Sequence, residues 1–195
     1  MAKLVGKNLN TSIFISGKGS NLLSLIKYSK IKKSKININL VISNNKLSKG
    51  LKYAKKNKIN FHIINYSKKK QAESKIIRHL KKNKIDLICL AGFMKILSSD
   101  FIRKFKNPIL NIHPSLLPKY KGLNTHRRVI KNKDKYSGAT VHLVTPKLDS
   151  GKIILQKKVR ISKEDTEKIL AEKVLNIEHK LYPAAIEKFL RKFNP

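Results

Sequence analysis

Hydrophobic residues concentrate in short runs, and amphipathic stretches of about ten residues separate these runs. The runs are SIFIS (12–16), ININLVI (36–42), FHII (61–64), DLICL (86–90) and PILNI (108–112). Near-continuous apolar runs of this length are typical of parallel strands that are covered on both faces. The stretches between them predict helices over residues 21–29, 47–57, 69–83 and 98–105. Strands that alternate with helices predict βαβ units and a mostly parallel sheet.

The pattern changes in the last third of the chain. Residues 140–144 and 153–159 predict two further strands joined by a turn of Pro, Asp, Ser and Gly. A long helix is predicted from residue 163 toward residue 190, with Ser162 or Thr166 as its cap and a kink near Pro183. We therefore predict the α/β class and a single domain over residues 1–195. Its core is a Rossmann-like, mostly parallel twisted sheet with helices on both faces and a long C-terminal helix.

The distribution of Lys, Gly and Pro indicates where the functional site lies. Lys is absent from windows 8–17, 36–45, 85–94, 107–118 and 136–146, although the chain accepts Lys almost everywhere else. Such windows are buried or chemically constrained. Four of the eight Gly and four of the six Pro fall between residues 91 and 151. Because ligands bind outside the carboxyl ends of strands in an open parallel sheet, we expect residues 91–151 to build most of the site.

The net charge of +34, from 45 Lys+Arg against 11 Asp+Glu, raises the question of a nucleic-acid or membrane partner. Only six of these cations are Arg, the side chain that grips phosphates and bases with two donors at once. Lys also occurs with many Asn and Ile over the whole length, as AT-rich codons would produce. We interpret the charge as compositional drift and predict no specific nucleic-acid partner. A basic nucleic-acid-binding Rossmann-like protein remains the alternative.

Several classes of protein and site are not expected. The single cysteine, Cys89, excludes a disulfide framework and a cysteine-based zinc site. No apolar run is long enough to span a bilayer and no secretory signal is visible, so we expect no membrane partner and a cytoplasmic location. A metal site is not expected either, because the remaining histidines lack paired ligand spacing. They are His62, His79, His126, His142 and His179.

Residues 15–22, ISGKGSNL, directly follow the first predicted strand. Gly17 and Gly19 permit a tight turn, and the free N–H groups of a helix that starts at Ser20 or Asn21 suit a phosphate. The segment lacks the G-K-[ST] of a P-loop, and Leu22 occupies the third position of a G-x-G-x-x-G motif. A plain βα turn is the alternative interpretation.

Asn111 and His113 share one face at the end of the fifth predicted strand, because alternate residues of a strand point the same way. An amide donor and an imidazole would then stand side by side. Asp149, in the turn after the next strand, would raise the pKa of His113 and set its tautomer if it lay against the ring. The alternative is that these side chains only order two turns.

Most of the chain resembles the folate-dependent glycinamide ribonucleotide formyltransferase family of purine synthesis, within the formyl-folate transferase superfamily. The matching segments are ISGKGSNL (15–22), LAGFMKILS (90–98), NIHPSLLPKYKGLNTHR (111–127), GATVHLVTPKLDSGKIILQKKV (138–159) and, more faintly, IEHKLYP (177–183). The resemblance implies transfer of the formyl group of 10-formyltetrahydrofolate, a co-substrate, to the amine of N1-(5-phospho-D-ribosyl)glycinamide in de novo purine (IMP) biosynthesis. It implies small-molecule substrates, no metal, and a monomer or homodimer.

The resemblance also implies roles for individual residues. The implied catalytic residues are Asn111, His113 and Asp149. Those implied to bind the ribonucleotide are Gly19, Ser20, Asn21, Leu22, Leu23 and Glu178. Those implied to bind the folate are Lys69, Met94, Lys95, Ile96, Leu97, Asn111, Thr145, Pro146, Lys147, Leu148 and Asp149. The chain departs from the family pattern at Lys95, where Arg is common, at Lys121, where Pro is common, and at Asn124, where His is common.

Two other formyl-folate enzymes remain as alternatives, of which the methionyl-tRNA formyltransferase would share the trio of residues. A methionyl-tRNA formyltransferase is expected to carry a C-terminal RNA-binding domain, for which the residues after Gly151 are too few. A formyltetrahydrofolate deformylase is expected to carry an N-terminal regulatory domain, for which the chain leaves no room.

Overall fold

The computed structural model describes residues 8–193, which contain seven strands and six helices. The strands are β1 (Leu9–Ile15), β2 (Ile36–Ser43), β3 (Asn60–Ile63), β4 (Leu87–Leu90), β5 (Ile109–His113), β6 (Tyr136–Leu143) and β7 (Ile153–Arg160). The helices are α1 (Ser20–Ser29), α2 (Leu51–Lys56), α3 (Lys69–Lys82), α4 (Ser99–Phe105), α5 (Thr125–Lys131) and α6 (Glu167–Phe193).

All seven strands form one sheet in the order β3-β2-β1-β4-β5-β6-β7. The first five pair in parallel, and β6 and β7 are added as an antiparallel pair at one edge. Every residue of β4 is buried, as expected for a central parallel strand, and Cys89 lies among them as a free thiol. The predicted α/β class and mostly parallel sheet are confirmed.

Helices cover the sheet on both faces, and each face has its own core. One core joins α1 and α6 to the sheet through residues such as Leu22, Leu25 and Val174. The other joins α3 and α4 through residues such as Ile76 and Phe101. The two cores hold the parallel strands rigid, so that the loops at their carboxyl ends have fixed positions.

Side-chain caps mark the starts of two helices, α4 and α6. Ser98 accepts the N–H of Phe101 and starts α4, and Thr166 accepts the N–H of Ile169 ahead of α6. The prediction missed α5 entirely, because only one of its apolar residues, Val129, is buried. The helix predicted from residue 47 begins at Leu51, after a turn.

The long helix α6 contains Pro183 and packs against α1 and the β6–β7 pair. Its fully buried Tyr182 places a hydroxyl 3.1 Å from the carbonyl oxygen of Leu90 and 3.0 Å from that of Leu110. These carbonyls belong to neighbouring strands, so α6 is tied to the last residue of β4 and to the second residue of β5. Within residues 8–193, none of the helices combines the length and the hydrophobicity that crossing a bilayer demands.

Candidate active site

A cleft of about 800 Å³ opens at the carboxyl ends of β1, β4 and β5. The connection after β1 leads to β2 on one side, and the connection after β4 leads to β5 on the other side. The loops after β1 and β4 therefore diverge, and such a switch point leaves a crevice between them. The lining comes from the loops that follow these strands, from the β6–β7 turn and from α6. Most of it falls within residues 91–151, where the sequence predicted the site.

Asp149 enters the cleft from the β6–β7 turn. Its φ of 44° is left-handed, a conformation that Asp tolerates better than most residues. The carboxylate is 7% exposed, and its Oδ2 accepts the N–H of Gly122 at 2.8 Å. Burial pushes the pKa of Asp149 upward, but contacts with His142, the Gly122 N–H and His113 outweigh burial, so this pKa lies below its ordinary value. Asp149 is therefore ionised at neutral pH.

His113, the last residue of β5, has an acceptor beside each ring nitrogen. Nε2 lies 2.8 Å from the carbonyl oxygen of Tyr120, and Nδ1 lies 3.4 Å from Oδ2 of Asp149. Both partners can only accept, but the Tyr120 carbonyl lies closer to its nitrogen than Asp149 does, so Nε2 carries a proton in both charge states of the ring. The proton that the ring gains and loses as it titrates is therefore the one on Nδ1.

The ionisation of His113 corrects one expectation from the sequence. Asp149 was predicted to raise the pKa of His113, and together with the Tyr120 carbonyl it does act in that direction. Burial has the larger effect and leaves the pKa of His113 below 6.5. The ring is therefore neutral at pH 7, with a lone pair on Nδ1.

Asn111 pairs across the sheet with His142 of β6. His142 Nδ1 lies 2.8 Å from the Leu143 carbonyl oxygen and must donate to it, and His142 Nε2 lies 3.2 Å from Asn111 Nδ2. Nε2 also lies 3.6 Å from Oδ1 of Asp149. His142 therefore orients the Asn111 amide, whose second N–H remains available to a ligand.

The loop after β1 forms the opposite end of the cleft. Gly19 adopts φ 75° directly before α1, whose first residues are Ser20 and Asn21. Asn21 Nδ2 donates to Glu178 Oε2 at 2.7 Å, although the two residues lie 157 positions apart. Burial raises the pKa of Glu178 above its ordinary value, against the effect of this hydrogen bond. A helix N-terminus and a buried acceptor are thus available here to a phosphate and to hydroxyl or amine groups.

A third part of the cleft is apolar, although it is open to solvent. Met94, Ile96, Leu123 and Leu148 line it with exposures of 65%, 61%, 71% and 46%. Single exposed apolar residues are common, but four around one cleft mark a binding surface. The Met94 loop is held to β1 because the Met94 N–H donates to Ser16 Oγ at 2.8 Å.

The structure brings most of the predicted residues to the cleft and leaves four outside its lining. Those lining it are Gly19, Ser20, Asn21, Met94, Lys95, Ile96, Leu97, Asn111, His113, Thr145, Pro146, Leu148, Asp149 and Glu178. Leu22 is fully buried in the core against the sheet. Leu23 follows it in α1, Lys69 is an exposed residue at the start of α3, and Lys147 is exposed on the β6–β7 turn.

Sequence reasoning missed His142, His126, Gly122 and Glu167, which also line the cleft. His142 was considered only as a metal ligand, and its pairing with Asn111 depends on a strand register that the pattern does not reveal. Among residues 8–193, no three His, Cys, Asp or Glu side chains are grouped so that they could hold a metal ion.

Comparison with known proteins places this site in a family. Residues 9–186 match the model of the formyl transferase family. The chain belongs to the formyl transferase family. The phosphoribosylglycinamide formyltransferase of Escherichia coli K12 is 39% identical over 184 residues, which are 93% of this chain and 87% of that protein. A solved phosphoribosylglycinamide formyltransferase from Brucella melitensis is 41% identical with a TM-score of 0.89, covering 94% of this chain and 96% of that one.

Other formyl transferase relatives are much longer. The human trifunctional purine biosynthetic protein adenosine-3 is 41% identical over 184 residues, and the chain spans only 18% of its length. The chain spans 19% of the length of the chicken protein of the same name and 18% of the bovine one. The family relationship therefore covers almost all of this chain but a small part of those relatives.

Proposed function

We propose that the chain transfers the formyl group of 10-formyltetrahydrofolate to the amine of N1-(5-phospho-D-ribosyl)glycinamide in purine biosynthesis, giving the N-formyl product and tetrahydrofolate. One observation carries this function: Asn111, His113 and Asp149 line a cleft that has a helix N-terminus at one end and an apolar surface at the other. The identity to phosphoribosylglycinamide formyltransferases over nearly the whole chain supports it.

The two ends of the cleft suit the two substrates. The N–H groups at Ser20 and Asn21 would bind the phosphate, and Glu178 would accept from the ribose or glycinamide. The apolar wall would take the pterin, and the turn from Thr145 to Asp149 would close over it. Leu22 and Leu23 would support the phosphate loop from behind. Lys69 and Lys147 are proposed only to attract the anionic tail of the folate from outside the cleft.

The reaction begins when the glycinamide nitrogen attacks the formyl carbon and the carbonyl electron pair moves to oxygen. The free N–H of Asn111 donates to this oxyanion, and such donors are worth about 2.7–4 kcal/mol in measured enzymes. His113, neutral at rest, accepts a proton from the attacking nitrogen at Nδ1. The imidazolium that forms is stabilised by the charge of Asp149 at 3.4 Å.

The intermediate collapses when the bond between the formyl carbon and the folate nitrogen breaks. Nδ1 of His113 then returns its proton to that leaving nitrogen, so the ring ends the cycle neutral. The chain's own groups supply the proton transfer and the oxyanion donor, in agreement with a reaction that uses the folate as a co-substrate and needs no metal.

We also propose that the chain acts as one domain, as a monomer or homodimer in the cytoplasm, with no specific nucleic-acid partner. The continuous sheet supports the single domain. The excess of Lys over Arg supports the view that the charge is compositional.

The test is a direct assay. Purified protein is mixed with glycinamide ribonucleotide and 10-formyltetrahydrofolate, and the loss of the formyl folate is followed by absorbance. Turnover that requires both substrates, and that falls at least a hundredfold in His113→Ala and Asp149→Ala with unchanged circular dichroism, is expected.

Parallel reactions separate the alternatives. Loss of formyl folate without an amine would indicate a deformylase, and transfer to methionyl-tRNA alone would indicate the tRNA enzyme. Sequence-selective RNA or DNA binding that survives physiological salt would favour the nucleic-acid alternative.

A further inference from the structure

Tyr120 faces two ways in the structure. Its backbone carbonyl accepts from His113 Nε2 at 2.8 Å, while its side chain points to the far side of the loop, into a second cavity of about 330 Å³. Its φ of 55° is left-handed. This conformation costs a residue with a β-carbon free energy and persists only where surrounding contacts impose it. The direction of the carbonyl therefore depends on what holds the side chain.

The Tyr120 hydroxyl is held through both its hydrogen-bonding roles. It donates to Asp134 Oδ2 at 2.9 Å and accepts from Asn132 Nδ2 at 2.9 Å. The Arg128 guanidinium lies 5.1 Å from the centre of the ring. All three partners belong to α5 or to the turn that follows it. The turn is fixed in its own right, since the Asp134 N–H donates to the Val129 carbonyl.

This arrangement determines which nitrogen of His113 can react. A neutral imidazole has one N–H, and free in water it exchanges that proton between its two nitrogens. The Tyr120 carbonyl lies 2.8 Å from Nε2, within hydrogen-bond distance, whereas the competing Asp149 carboxylate lies 3.4 Å from Nδ1, so the carbonyl selects the ring with the proton on Nε2. The lone pair is then on Nδ1, beside Asp149, and both residues line the cleft.

We propose that Tyr120, anchored by Asp134, is a positioning residue that sets the tautomer of His113 and keeps Nδ1 as the nitrogen that takes and returns the proton. The importance for turnover rests on the proposed formyl transfer. The effect on the tautomer does not, because it is a property of the chain without substrates. The two can therefore fail independently.

The test compares Tyr120→Phe and Asp134→Asn with Tyr136→Phe as the matched control. Tyr136 borders the same second cavity and loses the same hydroxyl, but its ring contacts Lys158 and its hydroxyl has no hydrogen-bond partner among the described residues. Asp134→Asn keeps an oxygen that can accept from Tyr120 and serves as the conservative variant.

The first readout is the pair of imidazole ¹⁵N chemical shifts of His113, in protein labelled at histidine, without substrates and at pH 7.5. We expect the wild type and Tyr136→Phe to show a protonated Nε2 and an unprotonated Nδ1. Tyr120→Phe should shift both signals toward the average of the two tautomers, and Asp134→Asn should lie between them. Shifts in Tyr120→Phe that equal those of the wild type would overturn the proposal.

The second readout is steady-state kinetics. In Tyr120→Phe, kcat should fall about three- to tenfold, the scale of one net hydrogen bond, while both KM values stay within twofold. Tyr136→Phe should retain wild-type kcat. A purely structural role would instead lower the melting temperature and raise KM without moving the ¹⁵N shifts, and that result would also refute the proposal. If neither the wild type nor any variant transfers formyl groups, the proposed function fails. The ¹⁵N shifts then still decide whether Tyr120 sets the tautomer of His113.

Discussion

Replacing Gly19 with Ala tests how the proposed phosphate-binding loop is built. A β-carbon at Gly19 would lie 2.4 Å from the α-carbon of Gly50, so two backbones would collide. Ordinary contact begins at 3.4 Å, so the segments must separate by about 1 Å (3.4 − 2.4). The left-handed φ of 75° adds a second penalty, because only Gly adopts it freely.

Two other glycines separate these penalties. Gly92 has φ 74° and nothing within 4 Å of an added β-carbon, so Gly92→Ala carries the conformational cost alone. Gly17 has open space and no left-handed φ, so Gly17→Ala carries neither cost. A left-handed Ala costs about 1–2 kcal/mol. Forcing packed groups apart costs about 1–3 kcal/mol more.

The expected loss of unfolding free energy is therefore roughly 2–5 kcal/mol for Gly19→Ala and about 1–2 kcal/mol for Gly92→Ala. Gly17→Ala should be neutral or should stabilise by up to about 1 kcal/mol through the unfolded state. For a chain of this size, each kcal/mol moves Tm by about 2–4 °C.

The assay is urea unfolding followed by circular dichroism, with initial rates measured on the same preparations. Gly19→Ala should also raise KM for the ribonucleotide, because the shifted loop carries the N–H groups of Ser20 and Asn21. A cost for Gly19→Ala no greater than that for Gly92→Ala would show that the close approach to Gly50 does not constrain the loop.

Three further results are expected. Ser16→Ala should raise KM for the formyl folate about three- to tenfold but leave KM for the ribonucleotide unchanged, because Ser16 Oγ accepts the Met94 N–H. Equal rises of the two KM values in initial-rate assays would contradict this role. Glu178→Gln should stabilise the chain at pH 8 but not below pH 4.5. The pKa of Glu178 is raised in the folded state, so the wild-type fold becomes less stable as pH rises through that pKa and the carboxyl ionises. Urea midpoints at both pH values measure the difference, and no gain in stability at pH 8 would refute the prediction. Because burial lowers the pKa of His113, kcat/KM should rise with pH through a midpoint below 6.5. A pH profile that instead falls through neutrality would exclude the neutral ring as the base.

Much of the fold was predictable, because parallel strands leave a strong one-dimensional signal. The runs in β1, β2, β4 and β5 are apolar on both faces, and their approximate positions are confirmed. The missed helix α5 has seven residues, two of them buried, so it is held by its surroundings and carries little amphipathic pattern.

The candidate site was predictable where its polar residues lie close together in the sequence. Asn111 and His113 are two residues apart on one strand, and alternation alone places them side by side. His142 was not predictable as their neighbour, because its place opposite Asn111 follows from the β5–β6 register. The lowered pKa of His113 depends on burial in three dimensions, whereas its charged neighbour, Asp149, is visible in the sequence.

The hydrogen bond between Asn21 and Glu178 also determines when the site can form. Asn21 leaves the ribosome before Glu178, which follows 157 residues later, in the middle of α6. A nascent chain that already holds Asn111, His113 and Asp149 therefore still lacks the acceptor at its phosphate end. Closing a contact of such sequence separation is a late and slow event in folding. The order of synthesis thus makes the proposed ribonucleotide end of the cleft the last part to be completed.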